Sequence, residues 1–192
     1  MDTIVNLMMI GDSYTGKTSL LKRLKKEPFV HQQKSTLGIQ SALKRLKYKE
    51  KIVKAKIWDV SGQIRDLENT FFNKADGFFV NIDLSDIRSL KHLNFWLRTV
   101  WNKFGKEFPV IVVGNKRDIK HINTTELKKN FDFIETSAKT YYNVERMIFK
   151  LYKRTIAPSS VGQLIKHTMD EVLKIGIDSQ LLTPRSNKSP RS

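Results

Sequence analysis

The sequence predicts an α/β protein with an open, mainly parallel sheet, helices on both faces and one antiparallel strand at the edge. The main observation is that short apolar runs, typical of buried strands, alternate with stretches whose apolar residues have helical spacing. One pair of strand-like runs is separated only by a short polar turn, which favours antiparallel pairing. The length of 192 residues fits one domain followed by a tail.

The predicted strands are mostly apolar runs bounded by glycine, proline or polar residues. They are Thr3 to Ile10, Leu37 to Tyr48, Ile52 to Trp58, Gly77 to Leu84, Pro109 to Gly114 and Phe131 to Thr136. Helices are predicted where apolar side chains recur on one face, and prolines follow the first and the last of them. They are Thr18 to Lys26, Ile87 to Phe104 and Val144 to Ile156.

Charge and composition narrow the classes of partner. Lys and Arg outnumber Asp and Glu by 35 to 19, and the formal net charge of +16 favours anionic partners. The sequence has no cysteine, which excludes disulfides, cysteine-ligated zinc and lipid anchors attached through sulfur. No apolar run reaches the ~18 residues of a membrane span. We therefore expect a cytoplasmic protein without a lipid anchor, whose contact with anionic membranes is peripheral, weak and electrostatic.

Residues 11–18 (GDSYTGKT), which we call the phosphate loop, fit the pattern G-x-x-x-x-G-K-[ST] between a predicted strand and a predicted helix. Backbone N–H groups of such a loop surround phosphate oxygens at the helix N-terminus. We expect Lys17 to neutralise the β- and γ-phosphates and the Thr18 hydroxyl to bind Mg²⁺. The residues predicted to bind the nucleotide here are Asp12, Ser13, Tyr14, Thr15, Gly16, Lys17, Thr18 and Ser19.

Two further segments, 115–118 (NKRD) and 135–139 (ETSAK), follow predicted strands, and we call them the base segments. A carboxylate at Asp118 can accept hydrogen bonds from N1–H and N2–H₂ of guanine, whereas adenine has no donor at N1. Doubly wound sheets bind their ligands at the carboxyl ends of the strands, which strengthens this interpretation. The residues predicted to bind the base are Asn115, Lys116, Asp118, Ser137, Ala138 and Lys139.

The segment Trp58 to Gln63 supplies candidates for the metal and for the reaction. Asp59 can hold the Mg²⁺ shell, and the N–H of Gly62 can reach a γ-phosphate because glycine has no side chain to obstruct it. Gln63 can orient an attacking water, so it is a predicted catalytic residue together with Lys17. A hydroxyl at Thr36 would complete the metal set of Thr18, Thr36 and Asp59.

The motifs occur in the order GDSYTGKT, STLGI, WDVSGQ, NKRD and ETSAK, which resembles the small GTPases of the Ras superfamily, most closely the Rab branch. The resemblance covers residues 3 to about 157. It implies a P-loop small GTPase fold with a six-stranded sheet and five helices, and a cycle between GDP and GTP with slow hydrolysis. It also implies that Phe29 packs on the guanine and that segments 30–40 and 59–74 switch conformation.

Some residues depart from the Rab pattern and leave alternatives open. Tyr14 and Thr15 replace small residues of the phosphate loop, Ser61 replaces alanine, and the second switch is about two residues shorter. One alternative is a GTP-binding scaffold that does not hydrolyse GTP. Another is a basic adaptor of nucleic acid or membrane that keeps only the fold. A turnover assay separates the GTPase from the scaffold, and retained guanine nucleotide contradicts the adaptor.

Partners follow from the same resemblance. Beyond guanine nucleotide, we expect an exchange factor, an activating protein and effectors at the two switches, a role in vesicle trafficking, a monomeric protein and no nucleic acid. The stretch Leu43 to Ile57 holds seven Lys and Arg residues against Glu50 alone, and we call it the basic hairpin. It is either a docking face for acidic groups or a solvated edge whose lysines discourage strand pairing.

The predicted domain organisation has three parts. Residues 1–157 form the GTP-binding domain, and 158–175 hold an extra amphipathic helix, Val161 to Ile175, with apolar residues on one side. Residues 176–192 form a polar, basic tail that we expect to be disordered. The histidines, His92 among them, are scattered without metal spacing and are expected to be surface residues.

Overall fold

A computed structural model of the chain describes residues 4–31, 38–60 and 72–156. Its strands are β1 (Ile4–Gly11), β2 (Ile39–Tyr48), β3 (Lys51–Val60), β4 (Gly77–Asp83), β5 (Val110–Asn115) and β6 (Phe133–Glu135). Its helices are α1 (Lys17–Leu24), α2 (Ile87–Lys91), α3 (Leu93–Phe104), α4 (Thr125–Asn130) and α5 (Val144–Thr155). Single 3₁₀ turns occupy Phe72–Lys74 and Arg117–Ile119.

The six strands form one sheet in the order β2-β3-β1-β4-β5-β6. Only β2 and β3 are antiparallel, and Tyr48 lies opposite Lys51 at the turn that joins them. All other neighbours run parallel. The predicted fold class, an α/β P-loop small GTPase fold with a mostly parallel sheet and one antiparallel edge strand, is confirmed.

Helices cover both faces of the sheet because strand side chains alternate between them. On β1, Leu7 and Met9 enter a core with buried residues of α1 and α5. Met8 and Ile10 enter a second core on the opposite face, with buried residues of α3. β1 is therefore buried on both sides, which explains why its sequence is an apolar run without alternation.

The prediction of one helix over Ile87 to Phe104 was wrong. The structure has two helices here, because His92 interrupts the first at Lys91 and the second begins at Leu93. The buried stripe of Leu90, Leu93 and Leu97 continues across this break. For that reason apolar spacing alone could not reveal it.

Several predicted features lie outside the described residues. These are Leu37 at the start of a predicted strand, parts 32–37 and 61–71 of the two switch segments, the helix Val161 to Ile175 and the tail 176–192. Across the ranges that the structure does describe, no helix has the length and apolar character that crossing a membrane requires.

Candidate nucleotide-binding site

The phosphate loop connects β1 to α1 and presses against the ends of two neighbouring strands. Gly11 has φ of 135°, and a Cβ there would lie 2.3 Å from the main-chain oxygen of Asn81 on β4. Gly16 has φ of 87°, and a Cβ there would lie 2.3 Å from Nδ2 of Asn115 on β5. Any larger residue at either position would clash, so these two glycines are what allow the loop to lie so close to the sheet.

Lys17 is the first residue of α1, and its side chain is folded under the loop. Nζ donates to the main-chain oxygens of Gly11 and Asp12, at 2.8 Å each. Burial lowers the pKa of Lys17 to about 8, although the carboxylates of Asp59 and Asp12 act in the opposite direction. Burial therefore disfavours the charged form of Lys17, and the negative charge of phosphate oxygens would stabilise it.

Thr18 and Asp59 meet beside this lysine. The Thr18 hydroxyl donates to Oδ2 of Asp59 at 2.6 Å. Asp59 is fully buried, and burial raises its pKa despite the hydrogen bond from Thr18 and the charge of Lys17. Its Oδ1 has no hydrogen-bond partner in the part of the chain that the structure describes. The Thr18 hydroxyl and the Asp59 carboxylate are oxygen ligands of the kind that a hard cation such as Mg²⁺ prefers, and the Oδ1 atom just described is one of these carboxylate oxygens.

The two base segments meet at the ends of β5 and β6. The Ser137 hydroxyl donates to Oδ1 of Asp118 at 2.5 Å, and it accepts a hydrogen bond from the N–H of Thr140 at 3.1 Å. Ser137 is buried and Asp118 is exposed. The carboxylate of Asp118 is thereby held in one orientation while it remains open to a ligand.

Asn115 joins the base segments to the phosphate loop. Its Nδ2 donates to the main-chain oxygen of Thr15 at 2.9 Å. Its Oδ1 accepts hydrogen bonds from the Thr136 hydroxyl and from the N–H of Ala138, at 3.3 Å each. Segments that are a hundred residues apart in sequence, 15 and 115, therefore form one continuous site.

Comparisons with known proteins agree with this geometry. A sequence model of the Ras family matches residues 6–157. The chain belongs to the Ras family. The Ras-related protein Rab11B of Nicotiana tabacum is 32% identical over 166 residues, which cover 79% of this chain and 76% of that protein. The Ras-related protein RABA1b of Arabidopsis thaliana is 30% identical over 197 residues, covering 97% and 87% respectively. The protein is a Rab-like small GTPase, which binds guanine nucleotides and hydrolyses GTP to GDP.

The remaining predicted site residues of this Rab-like GTPase fall into two groups. Ser13, Tyr14 and Lys139 are exposed around the site, and Phe29 is half-buried with its ring 5.1 Å from that of His31. Tyr14 is 72% exposed and has φ of 66°, in a region that non-glycine residues rarely adopt. Thr36, Gly62 and Gln63 lie outside the described residues, so their roles stay predictions.

Sequence reasoning missed the part that Glu135 plays in the Rab-like site. Its buried carboxylate lies within ion-pair distance of three cations, at 3.1 Å from Arg117 Nε, 3.2 Å from Lys120 Nζ and 2.8 Å from Lys128 Nζ. Burial disfavours its charge, but hydrogen bonds from Lys128, Thr124 and Lys120 outweigh that effect and lower the pKa of Glu135 to about 2. Arg117 and Lys120 flank Asp118, so Glu135 anchors one base segment to the other.

A second missed feature involves the side chain of Asp12. Its two carboxylate oxygens face the start of α3, where His92 Nδ1 lies 2.7 Å from Oδ2 and Trp96 Nε1 lies 3.0 Å from Oδ1. His92 is 56% exposed, as expected of a surface residue, yet it contacts the phosphate loop. No spacing in the sequence could reveal this, since the two residues are 80 positions apart.

Proposed function

We propose that this Rab-like GTPase is a guanine-nucleotide switch of vesicle trafficking, with the phosphate loop and the two base segments as its single nucleotide site. The observation that carries the proposal is that Asn115 hydrogen-bonds to Thr15, Thr136 and Ala138 at once. These hydrogen bonds support the proposal, because they would hold the proposed phosphate ligands and base ligands at a fixed distance from each other, as a nucleotide requires. It lies at the carboxyl ends of the parallel strands, where such sheets bind their ligands.

Asp118 is the proposed determinant of guanine specificity. Its carboxylate accepts from N1–H and N2–H₂ of the base, and its hydrogen bond from Ser137 supports that orientation. The N–H groups of Ser137, Ala138 and Lys139 are the proposed donors to guanine O6. Asn115 and Lys116 support this side of the site, where the Lys116 ammonium forms an ion pair with Asp83 at 2.6 Å.

Lys17 and the N–H groups of residues 12–19 are the proposed phosphate ligands. Thr18, Asp59 and Thr36 would hold Mg²⁺, which fits the buried Oδ1 of Asp59, an atom with no hydrogen-bond partner among the described residues. When bound, the ion supplies positive charge to the β- and γ-phosphate oxygens. When a nucleotide binds, phosphate oxygens would replace the main-chain oxygens around Lys17. The lowered pKa of Lys17 would then rise toward its ordinary value.

The proposed reaction is an in-line attack by water on the γ-phosphorus. Gln63 orients the water, a bond forms from its oxygen to phosphorus, and the bond to the β–γ bridging oxygen breaks to release GDP and phosphate. Lys17 and the backbone N–H groups of the phosphate loop stabilise the charge that spreads over the phosphate oxygens. We expect slow turnover without an activating protein. Exchange factor, activating protein and effectors are proposed to act on segments 30–40 and 59–74 of a monomer.

The decisive experiment identifies the nucleotide that the purified protein carries, then follows single-turnover GTP hydrolysis with Mg²⁺ and with chelator. We expect GDP or GTP to co-purify, hydrolysis to need Mg²⁺, and Lys17→Ala to purify without nucleotide. Lys22→Ala, a change of the same kind on α1, is the matched control and should retain nucleotide. Bound adenine nucleotide would contradict the proposal, and stable GTP in the presence of Mg²⁺ would favour the scaffold.

A further inference from the structure

The carboxylate of Asp12 is held from outside the phosphate loop. Trp96 donates to Oδ1 from Nε1 and is itself buried, so its ring is fixed in the core between sheet and α3. His92 approaches Oδ2 with Nδ1. Because an ionised carboxylate only accepts hydrogen bonds, Nδ1 of His92 carries a proton in this contact. Both oxygens of Asp12 therefore have a donor on the other side of the loop.

The main chain of Asp12 is part of the phosphate loop's own framework. Its carbonyl oxygen accepts from Lys17 Nζ at 2.8 Å and from the Thr15 hydroxyl at 3.0 Å. The side chain and the carbonyl belong to one residue, so an anchor on the carboxylate also restrains the peptide on which Lys17 depends. This residue follows Gly11 directly, where the main chain of Asn81 lies so close that a Cβ would not fit.

The negative charge of Asp12 is the reason that the position of its side chain affects phosphate binding. The carboxylate is close enough to Lys17 to oppose the effect of burial on that ammonium. A carboxylate that turned toward Lys17 would compete with phosphate oxygens for the same ammonium and would repel the phosphates. Two donors on the far side keep it turned away and partly compensate its charge.

We propose that His92, with Trp96, is a positioning residue that holds the Asp12 carboxylate away from Lys17 and so keeps the phosphate loop ready for nucleotide. The proposal rests on the phosphate-binding role of Lys17. His92 lies between α2 and α3, so the contact with Asp12 is made at the break between these two helices.

The test measures the release rate of a fluorescent GDP analogue from the full chain. His92→Ala should release it about 3- to 10-fold faster, the effect expected when a hydrogen bond to a charged group is lost. His92→Asn should restore slow release, since its Nδ2 can occupy the place of Nδ1 and donate to the same oxygen. In an Asp12→Asn background, His92→Ala should have no further effect.

Arg88→Ala is the matched control. Arg88 lies on the adjoining helix α2 and forms its ion pair with Asp86, not with the phosphate loop. This variant should leave release unchanged. The ¹⁵N indole resonance of Trp96 should shift in His92→Ala and keep its wild-type position in Arg88→Ala, which reports on the shared carboxylate directly.

Three outcomes would overturn the inference: wild-type release in His92→Ala, equally fast release in His92→Ala and His92→Asn, or an undiminished effect in the Asp12→Asn background. Failure of the proposed site is a separate result. In that case Lys17→Ala would also release nucleotide at the wild-type rate, whereas failure of the inference alone leaves the Lys17 effect intact.

Discussion

The hydroxyl of Ser137 donates to Oδ1 of Asp118 at 2.5 Å, across two loops that follow different strands. The donor is buried and the acceptor is exposed. A hydrogen bond from one buried side chain therefore sets the direction in which the exposed carboxylate presents its second oxygen. We therefore propose that recognition of the base depends on this pair rather than on Asp118 alone.

Asp118→Asn should shift nucleotide preference from guanosine towards xanthosine. The new amide can donate, and xanthine carries an oxygen where guanine carries its amino group. Competition between GDP and xanthosine diphosphate measures the shift. Asp132→Asn, which alters a carboxylate paired with Lys150 on the surface, serves as the control. Unchanged guanine preference in Asp118→Asn would show that the base is recognised elsewhere.

Asn115→Ala should both destabilise the protein and speed nucleotide release. The change leaves the Thr15 oxygen, the Thr136 hydroxyl and the Ala138 N–H without their shared partner, at a cost of about 2 to 4 kcal/mol in the free energy of unfolding. Denaturant unfolding measures the free energy of unfolding, and the release of GDP measures the rate of nucleotide dissociation. Asn123→Ala removes only the exposed hydrogen bonds that Asn123 accepts from Thr125, so its release rate should match the wild type. A normal release rate in Asn115→Ala would refute the linking role.

Glu135 should stabilise the protein at neutral pH and lose that effect in acid. Its pKa is about 2 in the folded state against 4.5 for the free group, so the contribution is complete above pH 4.5 and disappears as the pH falls toward 2. Its partners are partly exposed, so we expect about 1 to 3 kcal/mol. Glu135→Gln should therefore be less stable than wild type at pH 7, with the gap in the free energy of unfolding narrowing as the pH falls from 4.5 toward 2. Exposed Glu107→Gln should show no such gap.

The basic hairpin should give weak, salt-sensitive binding to acidic vesicles. Each basic residue near an anionic surface contributes about 1 kcal/mol, and salt at physiological strength screens charges beyond ~8 Å. Flotation with phosphatidylserine vesicles should fall when Lys47, Lys49 and Lys51 become glutamate. The same charge change at Arg98 and Lys103 on α3, and at Lys106 in the turn after it, is the control. Tight binding that survives high salt would point to an inserted segment or a lipid-specific pocket.

Much of this structure could be predicted from local patterns in the sequence, because strands, turns and the phosphate loop each depend on residues that are neighbours in the chain. The apolar run of β1 and the glycines at 11 and 16 are examples, and their steric reasons are visible in the fold. Contacts between distant segments were not predictable. The pairing of His92 with Asp12 and the cations around Glu135 depend on which loops the sheet order brings together. The helix break at His92 was hidden because the buried leucines continue through it.

The sheet order also dictates when the site can be completed as the chain folds. A short turn joins β2 to β3, so their antiparallel hairpin can form early, whereas the central strand β1 must wait for β4 to cover its second edge. The site closes later still, because Asn115 needs Thr136 and Ala138 from the loop after the last strand. A nascent chain that has emerged only as far as β5 therefore contains the complete phosphate loop and Asn115, but not the residues after β6 that hold the Asn115 side chain. Nucleotide capture should mark one of the final steps of folding, and nucleotide in the surrounding solution should favour its completion.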